Sequence, residues 1–124
     1  MPSQDGLIGF RMLVVEDETL IAMMLEEFLA DLGIKVVEVA GTLARGLAIA
    51  TDAAVAADGA ILDANLGGEK VFPVADALAG RGVPFVFATG YGLQGLAPRY
   101  ADHKVIAKPF RLEPLKQFLL SAFA

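Results

Sequence analysis

Short β-branched or aliphatic runs alternate with stretches of helical spacing along the whole chain, and this alternation confines the fold to a parallel sheet wrapped by helices. The runs at 12–15, 35–39, 59–62, 84–88 and 104–106 read as strands. After the first, Leu20, Ile21, Met24, Leu25, Phe28, Leu29 and Leu32 recur at i, i+3 and i+4 and close on Gly33, which predicts an amphipathic helix with a glycine stop. A second helix runs from a Thr42 cap through Leu43, Leu47 and Ile49, and a third from about Val71 through Val74 and Leu78 to Gly80. The fifth has its periodic part from near Leu112, with Pro114 in its first turn and Leu115, Phe118, Leu119 and Phe123 on one stripe. The fourth, over 90–100, holds Gly90, Gly92, Gly95 and Pro98, so a helix there is short, frayed or absent.

Five strands strictly alternating with helices predict a doubly wound α/β sandwich of flavodoxin-like order 2-1-3-4-5, with helices on both faces and the fourth helix short or disordered. Ligands of such sheets bind at the carboxyl ends of the strands, where the winding reverses, so chemistry is sought just after Val15, Leu62, Ala88 and Ala107. A chain of 124 residues fits one domain, taken here as 10–124 behind a flexible N-terminus of 1–9. Hydrophobic residues at 56% supply ample core without any staple.

Fifteen acids against ten bases give a formal charge of -5, which repels phosphate backbones and argues against nucleic-acid binding. No cysteine is present, so disulfides, thiol nucleophiles and thiolate metal sites are excluded. The first ten residues lack the basic start and apolar body of a secretory signal, and charged or turn residues interrupt every apolar stretch short of a membrane span. A cytoplasmic protein is expected.

The carboxyl edge carries Glu16-Asp17, Asp63, Thr89 and Lys108-Pro109. One acid after a strand commonly just opens a helix in solvent. The predicted strand order, however, sets Glu16 and Asp17 beside Asp63, and three crowded, partly desolvated carboxylates raise one another's pKa unless a cation sits among them. Mg²⁺, or another hard divalent cation, suits such a donor set.

On these residues the chain resembles the receiver domain of bacterial two-component response regulators, from about Phe10 to Phe123. Val14-Val15-Glu16-Asp17-Glu18 is similar to the acidic motif of strand 1, Ile61-Leu62-Asp63-Ala64-Asn65-Leu66 to the phosphoacceptor segment, Thr89 to the strand-4 hydroxyl and Lys108-Pro109-Phe110 to the strand-5 lysine motif. The resemblance implies that Asp63 takes a phosphoryl group from a phosphohistidine of a sensor kinase. It implies Mg²⁺ held by Asp17, Asp63, Glu16 through water and the Asn65 carbonyl, with Lys108 and Thr89 on phosphoryl oxygens. Receivers usually carry a Tyr or Phe three residues before the lysine; here that position is Val105, so the usual Thr-plus-aromatic switch is not expected. The run Phe87-Ala88-Thr89-Gly90-Tyr91 resembles a single-domain subgroup linked to kinases of the second histidine-kinase class. Asn65 and Tyr91 occupy the positions that in receivers flank the phosphoryl group and tune its lifetime.

Gly90-Tyr91-Gly92-Leu93-Gln94-Gly95 fits G-x-G-x-x-G, yet it follows the fourth strand, not the first, so a dinucleotide site is not expected. A phosphatase with an aspartyl nucleophile needs a second acid two residues on, where Asn65 stands. Turnover of external substrates is therefore not expected, only self-phosphorylation and slow self-dephosphorylation. His103 is read as solvent-facing, and of Met23 and Met24 one is core and the other its surface neighbour. Output then goes through a downstream signalling protein, or the chain drains phosphoryl groups from a shared kinase.

Overall fold

A computed structural model of the chain describes residues 4–90 and 96–123. Five parallel strands form the central sheet: β1 (Arg11–Val15), β2 (Lys35–Ala40), β3 (Gly59–Asp63), β6 (Phe85–Thr89) and β7 (Val105–Ala107), in the order β2-β1-β3-β6-β7. This is the 2-1-3-4-5 order read from the alternation. Val15 lies opposite Ala40 and Leu62, Asp63 opposite Ala88, and Thr89 opposite Ala107, so the carboxyl ends of four strands meet at one edge.

The helices are α1 (Thr19–Asp31), α2 (Leu43–Ala50), α3 (Phe72–Gly80) and α4 (Leu112–Phe123). Successive strand residues point to opposite faces, which makes two cores. Leu13, Val15, Leu62, Phe85 and Phe87 pack with Ile49 of α2 and Val74 and Leu78 of α3. Met12, Val14, Ile61, Val86 and Ala88 pack with Leu25 and Leu29 of α1 and Leu115 and Leu119 of α4.

Local chemistry ends the helices where the sequence places stops and caps. Thr42 accepts the Arg45 N–H at 3.1 Å, capping α2. Gly33 has φ of 81°, and the bonds Gly33 N–H to Ala30 O at 3.0 Å and Ile34 N–H to Leu29 O at 2.9 Å satisfy the last carbonyls of α1.

Four features differ from the reading of the sequence. Leu20, placed in the buried stripe of α1, is 80% exposed, while its neighbour Ile21 packs against the core and Ala22 is buried. The packed body starts ahead of Phe10: Gln4–Leu7 forms a 3-10 turn, and Leu7 is fully buried with the α1 and α4 side chains. Between β3 and α3 an unforeseen antiparallel hairpin appears, β4 (Asn65–Leu66) with β5 (Glu69–Lys70). Finally, His103 is half-buried, stacked on Phe85 with ring centres 4.5 Å apart. Between β6 and β7 the described residues hold one 3-10 turn, Pro98–Tyr100; the rest of the expected short fourth helix, 91–95, lies outside the described residues.

Two arginines tie loops to helices. Arg81, just after α3, donates to Ala50 O at 2.9 Å and Val55 O at 2.7 Å, closing the end of α2 and the loop into β3. Arg81→Ala strands both carbonyls without their charged donor, so unfolding free energy should fall by about 2 kcal/mol in urea titrations. Asp76 of α3 accepts from Arg99 at 3.1 and 2.9 Å and from the Tyr100 hydroxyl, fastening the Pro98–Tyr100 turn over Phe72, Phe85 and Phe87.

Candidate functional site

Glu16, Asp63 and Thr89 are the buried polar side chains among the described residues, at 3%, 4% and 2% exposure. Each stands at the end of a central strand, where the sheet ladder still dictates its direction. Glu16 N–H bonds to Ala40 O at 2.9 Å, and Lys108 N–H to Thr89 O at 3.0 Å, so both pairings run one residue past the strands. Charge thus enters the molecule where the sheet ends and the helices splay.

Lys108 joins the acids. Its ammonium donates to Glu16 Oε1 at 2.9 Å and Asp63 Oδ2 at 3.1 Å, and Glu18 Oε1 lies 3.9 Å away. The other Glu16 oxygen accepts the Glu18 N–H at 3.1 Å, and the other Asp63 oxygen accepts the Asn65 N–H at 3.1 Å. Every carboxylate oxygen of the buried pair therefore has a donor. Buried charges are tolerated only when paired and hydrogen-bonded in this way.

The crowding shifts the titrations. Burial, helped by a hydrogen bond with Asp63 and opposed by Lys108, pushes the Glu16 carboxyl up to about 7. Burial also acts to raise Asp17, but hydrogen bonding with Asp63 and Glu16 outweighs it and holds that carboxyl below the usual range. The Lys108 ammonium loses hydration on burial, yet Glu16 and Asp63 more than compensate and raise it. Glu16 thus holds a proton more readily than a free carboxyl does, and Asp17, at the rim, less readily.

A cleft of about 420 Å³ opens over these groups, lined by Asp17, Glu18, Asp63, Asn65, Gly67, Gly68, Gly90 and Lys108. Oxygens of Glu16, Asp17 and Glu18 lie within 4.8 Å of one another, a donor set that suits a hard divalent cation. Of the residues singled out in the sequence, Asp17, Asp63, Asn65 and Lys108 share this cleft, and Glu16 lies directly behind it. Thr89 is buried at the end of β6, beside the same edge. Val105 does not line the cleft; it is half-buried against the core on the α2 and α3 face. Tyr91 lies outside the described residues. Glu18, which the sequence reading leaves without a role inside the strand-1 motif, also lines the cleft, as do Gly67 and Gly68, which that reading does not single out although a Gly-Gly pair is their visible signal.

No protein-family model matches the chain, and no curated protein matches it. Solved structures do. The solution structure of SdrG from Sphingomonas melonis Fr1 is 45% identical, with 94% of this chain and 98% of that one covered and a TM-score of 0.80. The chain belongs to the receiver family of response regulators. The BeF3-activated conformation of SdrG from Pseudomonas melonis Fr1 matches this receiver at 46% identity over 92% of this chain and 96% of that one, with a TM-score of 0.77. A signal receiver domain of a modulated diguanylate cyclase from Desulfovibrio desulfuricans G20 matches at 26% identity over 91% and 92% of the two chains, with a TM-score of 0.75. In this receiver no helix among the described residues is long and apolar enough to cross a membrane.

Proposed function

We propose that Asp63 is the phosphoacceptor of this response regulator. The observation that carries the reading is the state of its carboxylate: buried at the end of the central strand, it faces an open polar cleft with one oxygen on Lys108 Nζ and the other on a backbone N–H. In the transfer, an Asp63 oxygen forms the new O–P bond as the donor's P–N bond breaks, and the electron pair leaves with the donor imidazole. With acetyl phosphate the broken bond is P–O and acetate leaves. Lys108 moves from a carboxylate oxygen to a phosphoryl oxygen without leaving its place, and the Thr89 hydroxyl at the next strand end donates to another.

Asp17, Asp63, Glu16 through water and the Asn65 carbonyl would hold Mg²⁺, with Glu18 as a further oxygen donor. When bound, Mg²⁺ supplies neutralising charge for the phosphoryl oxygens. Its natural donor is read as a sensor histidine kinase of the second class in the cytoplasm, on the strength of the Phe87-Ala88-Thr89-Gly90-Tyr91 run. Output goes to a downstream protein; a phosphate sink for a shared kinase is the second reading. A phosphatase is disfavoured because the residue two beyond Asp63 is an amide whose oxygen is occupied by Gly68 N–H at 2.8 Å. Intact-mass measurement after incubation with acetyl phosphate and Mg²⁺ tests the proposal: one phosphoryl group should be added, on Asp63.

The metal makes its own expected outcome. Mg²⁺ binds the folded site and not the unfolded chain, so at tenfold excess over Kd it should stabilise the fold by about 1.4 kcal/mol. Thermal melts should show the rise in wild type and lose most of it in Asp17→Asn. An unchanged melting temperature in millimolar Mg²⁺ would count against the site.

A further inference from the structure

Asn65 is held at both ends of the residue. Its backbone N–H donates to Asp63 Oδ1 at 3.1 Å, while its side-chain Oδ1 accepts the Gly68 N–H at 2.8 Å. Gly67 and Gly68 have φ of 60° and 95°, the two positive values that a two-residue hairpin turn requires. Asn65 pairs with Lys70 and Leu66 with Glu69 across that turn, and Leu66 is sunk in the core at 4% exposure. The turn forms one wall of the cleft: a Cβ on Gly67 would meet Asp17 Oδ2 at 3.8 Å.

We infer that Asn65 is a positioning residue, whose side chain latches the Gly67–Gly68 turn and so aims its own N–H at the nucleophile. The inference rests on Asp63 being the phosphoacceptor. A hairpin with two residues in each strand is too short to be stable by itself. The side-chain latch and the buried Leu66 supply what the ladder lacks. With the turn closed, the Asp63 carboxylate is held from two sides, one oxygen by the Asn65 N–H and one by Lys108 Nζ, and its rotation is stopped. The Asn65 amide oxygen is directed to the turn, so its effect on phosphoryl transfer goes through Asp63 and not through contact with the phosphoryl group.

Asn65→Ala removes the latch and leaves the backbone N–H in place. Acetyl phosphate should then phosphorylate Asp63 roughly tenfold more slowly, the cost of a misdirected nucleophile, while the thermal melt stays close to wild type. Amide hydrogen exchange in the free protein should quicken at Gly68 and at position 65. Gly67→Asn placed on that background is the decisive variant, since Asn-Gly is the strongest sequence for this turn and Asn tolerates the φ of 60° at Gly67. It should restore exchange protection and bring the rate back to within roughly threefold of wild type. A wild-type rate in Asn65→Ala overturns the inference. So does a slow rate that persists once Gly67→Asn has restored the protection, which would put the amide on the phosphoryl group itself. If wild type takes no phosphoryl group on Asp63 while the exchange pattern follows as described, the phosphoacceptor reading is what has failed, and with it the catalytic part of this one.

Discussion

Asp63→Asn should leave the chain without any added phosphoryl mass after incubation with acetyl phosphate and Mg²⁺, a loss of at least about 10³-fold in rate. The expectation is sharp because the neighbouring carboxylates are not free to substitute. Glu16 is 3% exposed with both oxygens engaged, by Lys108 and by the Glu18 N–H. Asp17 sits at the cleft rim, where the proposed function assigns it to the cation. The variant keeps its shape, since Asn is isosteric and Lys108 retains Glu16 as partner. A folded Asp63→Asn protein that still gains one phosphoryl group would move the acceptor to another carboxylate and defeat the assignment.

Lys108→Met should destabilise the free protein by about 3 kcal/mol or more, because it strands two buried acids without their cation. Their side chains are 2% and 5% exposed, so water from the cleft replaces little of the ammonium's contact, least of all at Glu16. Adding Glu16→Gln should recover at least about half of the loss, and a urea-denaturation double-mutant cycle measures the coupling. The groups around Glu16 fix the sign of the pH dependence. Its carboxyl already sits at about 7 against an ordinary 4.5, and the variant removes Lys108, which lowers it, while Asp63, which raises it, remains. The native state then holds a proton that the unfolded chain has released, so the stability of Lys108→Met falls as pH rises from about 4.5 through 7 and beyond. A variant as stable as wild type at pH 8 would show that the triad contributes nothing to folding.

Alternation of strand and helix made the architecture legible, and the acids and the lysine at strand ends made the site legible, because both follow from rules that act over a few residues. Val14-Val15-Glu16-Asp17 and Ile61-Leu62-Asp63 each pass from apolar to charged at the point where the sheet stops. What stayed hidden depends on contacts distant in sequence or on strands too short to show a period. The hairpin at Asn65 has two residues per strand, below the length at which alternation can be seen, although Gly67-Gly68 marks its turn. Leu20 belongs to the helical stripe by spacing, and only the packed helix shows that Ile21 and Ala22 turn to the core while Leu20 turns to solvent. His103 looked solvent-facing because nothing local announces Phe85 as its partner; the two are 18 positions apart and meet only when β6 and β7 pair.

The ring stack beneath the Asp76 clamp gives the molecule an optical asymmetry. Phe72, Phe85, Phe87, Tyr100 and His103 all lie on one side of the sheet, with Tyr100 8% exposed and its hydroxyl fixed to Asp76. The chain has no tryptophan, so the near-ultraviolet circular dichroism of immobilised rings falls to tyrosine and phenylalanine. Tyr100 is the tyrosine among the described residues. In a Tyr91→Phe background the tyrosine dichroic band belongs to Tyr100 and reads the packing of the α2 and α3 face, while the far-ultraviolet helix signal averages over both. In that background, loosening on that face shows as lost tyrosine dichroism with helix content unchanged, and loosening around α1 and α4 leaves the tyrosine band in place.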